Sequence, residues 1–184
     1  YSHGAHTIVR RGAGSVVKVH ESHARAQLAK IWKSKDLLLF HNAAFDLSVA
    51  KTWLDLPYPE WPRIHDTSWL AFLLDPCAES LSLKDLARQH LGDDTDEQSE
   101  LNDWTEKNIL KDAFGKRRKN LEHGAKPGAY IAFAPSDLVG VYACADVRLT
   151  RELYDYFMPH VEKLRMVEAY KRYQRSFPAL RRME

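Results

Sequence analysis

LLLFHNAAFD, residues 37–46, is the stretch on which the fold turns. Its first four residues are apolar without alternation, the pattern of a strand buried on both faces. The chain leaves that strand through His41 and Asn42. It then enters AAFDLSVAKTWL, where Phe45, Val49 and Trp53 recur at helical spacing. A strand running straight into a helix puts Asn42 at the junction, where it can satisfy the turn, and Asp46 in the first helical turn. Asp46 has two readings: a helix-start carboxylate favoured by the dipole, or a metal ligand at the carboxyl end of a central strand.

Upstream, HTIVR (6–10) and SVVKVH (15–20) are β-prone runs on either side of RGAG, which predicts a hairpin. ESHARAQLAKIWKS follows, with Ala24, Leu28, Ile31 and Trp32 at helical spacing behind a Ser22 cap. After the loop PYPEWPR, His65, Asp66 and Thr67 precede a helix in SWLAFLLD, with Asp66 as its cap. Ser82 is expected to cap LKDLARQHLG and Gly92 to end it. Residues 93–128 change character: acidic DDTDEQSE, basic GKRRKN and turn-like EHGAKPG mark an insertion or flexible arm with one helix around 100–113. A long helix is expected from 136 to about 157, and a last one from Pro159 onward. Strands alternating with helices after a hairpin indicate an α/β domain with a mixed sheet.

At 184 residues the chain has the length of one domain, and 45% hydrophobic with 28% charged residues is ordinary globular composition. A formal charge of +2 excludes nucleic-acid binding driven by net charge alone, so any basic surface must be local. Cys77 and Cys144 stand far apart in helix-like contexts and read as buried thiols rather than a disulfide, consistent with a reducing cytosol. The absence of a paired-cysteine framework argues against zinc. His41 and His65 read as turn or core histidines. No apolar run approaches the roughly 18–20 residues of a membrane span, and YSHGAHTIVRRG lacks a signal-peptide core. Opening on Tyr1 and stopping at PALRRME within an amphipathic pattern, the chain reads as part of a longer polypeptide.

VYACADVRLTRELYDYF, residues 141–157, carries the second signal. Tyr142 and Asp146 are four apart and share a helical face, with Val141, Leu149 and Leu153 as the expected packing around them. A carboxylate on an apolar face is costly to bury unless a cation or donor compensates it. Tyr142 is then either a core tyrosine or a phenol that holds a water, and Asp146 either a solvated mid-helix acid or a ligand. Paired with Asp46, Asp146 suits a divalent ion bound through oxygen. A two-metal site activates a water and stabilises the leaving oxygen of a phosphodiester, with Tyr142 orienting or deprotonating that water.

At these residues the sequence resembles the DnaQ-like 3′–5′ exonucleases. NAAFD (42–46) is similar to their second exonuclease motif, and YACAD (142–146) to the third in its Tyr-x-x-x-Asp form. HDTSWLAFLLDP and SLKDLARQHLG resemble the D-T and S-L-x-x-L-A helices of proofreading domains in family A DNA polymerases. PALRRME resembles the junction into a polymerase portion. The resemblance covers roughly residues 36–92 and 128–184, and the order of the motifs carries it. It implies a ribonuclease H-like fold, a mixed sheet flanked by helices. It also implies Mg²⁺ or Mn²⁺, removal of nucleotides from a single-stranded DNA 3′ end, and a polymerase domain in the same longer chain, phage or bacterial. By position, Asp46 and Asp146 would be metal ligands, Tyr142 would orient the water, and Asn42 would lie near the terminal nucleotide.

The family's first motif, Asp-x-Glu on the first strand, has no counterpart before residue 36; Glu21 follows the hairpin, on the wrong element. That strand is expected upstream of Tyr1, and with only Asp46 and Asp146 placed, the 184 residues alone should bind at most one ion weakly. A vestigial module that braces a polymerase or binds DNA, and a freestanding RNase D-like nuclease, are the alternative readings. Lys116, Arg117, Arg118 and Lys119 either follow a phosphate backbone or form a solvated face. Trp69 and Phe72, at helical spacing, are expected in the core rather than stacked on bases, and Trp104 is left open.

Overall fold

The computed structural model describes residues 6–9, 16–94, 97–111, 115–118 and 126–183. The RGAG turn, Thr95 and Asp96, Lys119 and Asn120, and the first four residues of EHGAKPG lie outside them. The chain divides into two compact units, residues 1–24 with 95–146 and residues 25–94 with 147–184.

β1 (His6–Val9) and β2 (Val16–Val19) form the expected antiparallel hairpin, His6 opposite Val19 and Val9 opposite Val16. α1 (Glu21–Lys33) begins ahead of the expected Ser22 cap. His20 takes that place: its carbonyl accepts the Ala24 N–H at 3.1 Å, and its Nδ1 accepts the Ser22 N–H at 3.3 Å.

β3 (Leu38–Phe40) and β4 (Ile64–Asp66) pair in parallel, Leu38 opposite Ile64 and Phe40 opposite Asp66. α2 (Ala43–Leu54) lies between them in the chain, which makes a βαβ unit. Leu38 is buried as expected, but Leu37 falls outside the strand and is 55% exposed. One arginine, just before β4, fastens the start of that strand to the segment leading into β3. Arg63 donates to the carbonyls of Asp36, Trp32 and Ile31 at 3.0, 2.7 and 3.2 Å, and to Ser34 Oγ at 3.2 Å. It thereby satisfies the open end of α1 and sets where β4 starts.

α2 buries Ala43, Leu47, Ala50 and Leu54, while Phe45, Val49 and Trp53 are exposed. The stripe expected to pack is the one that faces out, because α2 carries two apolar stripes and the small-residue stripe allows the closer approach to the strands. α3 (Thr67–Leu74) starts at Asp66, whose side chain accepts from Ser68 N, so the cap reading holds. Trp69 packs in the core, with its ring 4.4 Å from that of Phe177, whereas Phe72 is exposed. α4 (Leu83–Leu91) runs from the Ser82 cap to Gly92 at φ 68°, as expected.

α5 (Glu97–Thr105) continues into a π-helical turn, Glu106–Leu110, in place of the single helix expected around 100–113. Leu101, Thr105 and Leu110 are buried, so this part of residues 93–128 is packed. Lys116, Arg117 and Arg118 are exposed, and Arg117 reaches Glu106 at 3.6 Å.

α6 (Ser136–Lys163) does not break at Pro159 but runs through it. Pro159 removes only its own N–H bond, and Phe157 and Val161, both fully buried, hold the helix on either side. The break comes at Arg165, in the left-handed region at φ 57°. There the Met166 N–H bonds the Val161 carbonyl and the Arg165 N–H that of Glu162, both at 2.9 Å. This is a Schellman ending with its apolar contact supplied by Met166 against the core that holds Val161. α7 (Val167–Met183) follows.

The core of the second unit has two parts. One gathers Leu70, Leu86, Leu153, Phe157, Val161 and Tyr170; the other Ala43, Leu47, Ile64 and Phe177. Leu149 and Leu153 are buried as expected, but Val141 is 55% exposed. Cys77 and Cys144 are free, as expected, yet both are exposed rather than buried. Among the described residues the hairpin and the parallel pair are separate two-stranded sheets. The chain is thus mixed α/β with helices dominant, and the single ribonuclease H-like sheet is not seen in the described residues.

Candidate active site

The strand-to-helix junction of LLLFHNAAFD is built around a residue outside it. Asn42 takes the left-handed conformation, φ 64° and ψ 57°, which asparagine tolerates better than most residues. Its side chain makes no capping bond and the residue is exposed. Asp66, wholly buried, does the capping from the end of β4. Its Oδ1 accepts from Asn42 N at 3.0 Å and its Oδ2 from Ala43 N at 2.7 Å. The same Oδ1 accepts from Ser68 N at 2.9 Å and Ser68 Oγ at 2.7 Å. Two helix N-termini, α2 and α3, thus end on one carboxylate, a favourable place for negative charge.

Asp46 stands one turn into α2 from that anchor, on the exposed side of the helix. Its carboxyl is pushed up to about 6, first by desolvation from the protein crowded around it and then by the charge of Asp66. The residue is exposed as a whole, so the desolvation comes from crowding on one side, not from enclosure. An acid in this state is stabilised by any cation that reaches it.

His41 and His65 are held as structural residues. His41 donates from Nε2 to the Leu81 carbonyl at 3.0 Å and meets Thr67 Oγ1 through Nδ1 at 2.8 Å. His65 accepts the Tyr170 hydroxyl at Nδ1, 3.2 Å away, and burial lowers its pKa. Tyr170 Oη also accepts the Asp66 N–H at 3.4 Å, and Gln174 donates to the Ile64 carbonyl at 2.7 Å. Two side chains one turn apart on α7 thereby serve the edge of β4 as a neighbouring strand would.

Tyr142 and Asp146 lie in the first unit on α6, one turn apart. The Tyr142 phenol donates to the Asp146 carboxylate. Its pKa is pushed far up, first by burial, then by the Asp146 charge and by that hydrogen bond. The phenol therefore keeps its proton, which disfavours the expected alternative of a deprotonating base and leaves the orienting role. Asp146 Oδ1 is buried from solvent.

The structure thus brings together Asn42, Asp46 and Asp66 in one unit, and Tyr142 with Asp146 in the other. Asp66 is the residue that sequence reasoning undervalued: it was legible as the α3 cap, but its hold on α2 depends on the unmarked strand β4. Among the described residues, no group of three or more His, Cys, Asp or Glu side chains is arranged to hold a metal ion. Asp66, the acid beside Asp46, has both oxygens committed to four donors. The described residues therefore do not make a complete site for Mg²⁺ or Mn²⁺.

Two comparisons bear on this geometry. A family model described as a 3′–5′ exonuclease matches residues 7–162, a span that includes both NAAFD and YACAD. A protein named DNA polymerase from Escherichia phage T5 is 30% identical over 141 residues. That match covers 74% of this chain and 15% of the phage polymerase, so the chain corresponds to a small part of that protein.

Proposed function

We propose that this chain, which belongs to the 3′–5′ exonuclease family, hydrolyses the terminal phosphodiester bond at the 3′ end of single-stranded DNA, as the proofreading part of a DNA polymerase. One observation carries the reading: the family match spans both carboxylate motifs. Asp46 supports it, as an exposed acid pushed up to about 6 beside a second carboxylate. Such a residue is suited to a cation or to a proton in transit rather than to an ordinary surface. In this reading Asp46 and Asp146 are ligands, Asn42 presents its free-standing amide to the terminal nucleotide, and Tyr142 orients water through a hydroxyl that stays protonated. Mg²⁺ or Mn²⁺ is the proposed cofactor, and further carboxylates from outside the described residues are needed to complete its site.

A second reading rests on the described residues, among which no three candidate ligands come together: a non-catalytic module of the same family that binds DNA or braces a polymerase. An oligonucleotide carrying different labels at its two ends, given with Mg²⁺ to the protein that carries this chain, separates them. The exonuclease reading expects early release of the 3′ label as a mononucleotide with the 5′ label retained on a shortening ladder. Binding without any release supports the non-catalytic module and overturns the first reading.

A further inference from the structure

Asp66 makes more bonds than a helix cap needs. Capping α3 uses one oxygen, Oδ1, for Ser68 N and Ser68 Oγ. The bond from Ala43 N to Oδ2, at 2.7 Å the shorter of the two to α2, serves α2 alone. A cap built only for α3 would leave Oδ2 buried without a donor, which is costly for a carboxylate. The residue on the other side, Asn42, sits in a left-handed conformation that non-glycine residues adopt rarely, and its N–H is held by the same side chain. Asp46 follows one helical turn later, about 6 Å along the axis. Whatever shifts the first amides of α2 shifts Asp46 with them.

We infer that Asp66 is a positioning residue: it fixes Asn42 and Asp46 for the reaction by clamping the start of α2 to the start of α3. This rests on the exonuclease reading of those two residues. Asp66 touches neither substrate nor reacting atoms; it acts through the backbone of its neighbours.

The carboxylate's asymmetry supplies the test. In Asp66→Asn the amide oxygen should face the three donors at Oδ1, which turns the NH₂ towards the Ala43 N–H and sets donor against donor. The α3 cap and the Asn42 N–H bond survive, and the Ala43 half of the α2 clamp is lost. Ser68→Ala does the reverse, removing one bond on the α3 side only. In the protein that carries this chain, amide hydrogen exchange is measured at Ala43 and Ser68, alongside mononucleotide release from a single-stranded oligonucleotide. Asp66→Asn should speed Ala43 exchange at least ~10-fold, leave Ser68 protected, and lower the saturated rate roughly 10- to 100-fold with little change in KM. Ser68→Ala should leave Ala43 exchange unchanged and the rate within about twofold. A folded Asp66→Asn protein with an unprotected Ala43 and the wild-type rate overturns the inference, as does an equal loss of rate in Ser68→Ala. A wild-type protein that releases no nucleotide sinks the exonuclease reading instead; Asp66 then fails as a clamp only if Ala43 exchange is unmoved by Asp66→Asn. Should Asp66→Asn not fold, scalar coupling across the hydrogen bond from Ala43 N to the Asp66 carboxyl carbon in the wild type decides: its presence supports the clamp and its absence refutes it.

Discussion

At the scale of single residues, Asp46 carries a cost that pH exposes. Its folded pKa of about 6 lies above the ordinary value of 3.8, so the folded state prefers the proton. The destabilisation is absent below about 3.8, grows as pH rises, and is complete above about 6. Asp46→Asn should therefore raise stability at pH 7 and confer nothing at pH 3.5, with metal absent. A shift of this size corresponds to about 3 kcal/mol for an enclosed group, but Asp46 is exposed, and screening should leave about 1 kcal/mol or less. Urea denaturation at the two pH values checks it, and equal gains at both would show that charge is not the cause. Tyr142 makes a different demand. Its phenol donates to Asp146 and stays protonated, so Tyr142→Phe should slow nucleotide release by roughly 10- to 10²-fold, the size of a lost positioning contact rather than of a lost proton transfer. The pH profile should keep its shape, because the phenol does not titrate in the working range. Loss of a limb of that profile would restore the base reading. Asp66 shows where reading single residues stops: a cap is visible from the residues after it, but a clamp needs the strand register that brings α2 and α3 together.

At the scale of elements, the helix from Ser82 to Gly92 was readable because both punctuating residues act locally, through Ser82 on the Asp85 N–H and a left-handed glycine. The break between α6 and α7 was not. Pro159 is the stronger local signal, yet the buried Phe157 and Val161 carry the helix through it, and an exposed arginine makes the turn. Arg165 holds φ 57° with no glycine to ease it. Arg165→Gly should accordingly stabilise the chain by about 0.5–1 kcal/mol, the relief of left-handed strain exceeding the added freedom of the unfolded chain. A melting temperature that falls instead would mean that the arginine side chain contributes more than its backbone costs. β4 escaped notice because three residues, Ile64–Asp66, are too few to show a period. α2 misled for another reason: Phe45, Val49 and Trp53 and the smaller Ala43, Leu47 and Ala50 both recur at helical spacing, and periodicity does not say which stripe turns inward.

At the scale of the whole molecule, the family and the α/β class were legible in the order of the motifs, from NAAFD through HDT and SLKDLA to YACAD. The sheet was not, because the described strands are short and form two separate pairs. Among the described residues no helix is long and apolar enough to cross a membrane. The chain spans only 15% of the phage polymerase it resembles, so partner domains and the remaining carboxylates belong to the proposal. The central claim is that Asp46 and Asp146 serve one hydrolytic reaction at a DNA 3′ end. The most direct test is release of a 3′-terminal label from a single-stranded oligonucleotide, with Mg²⁺ or Mn²⁺ supplied, by the protein that carries this chain and by its Asp46→Ala and Asp146→Ala variants at matched folded fractions. The account predicts that each variant, though folded, loses most of the activity, on the order of 10²-fold or more. Near wild-type release by a folded Asp146→Ala protein would contradict it.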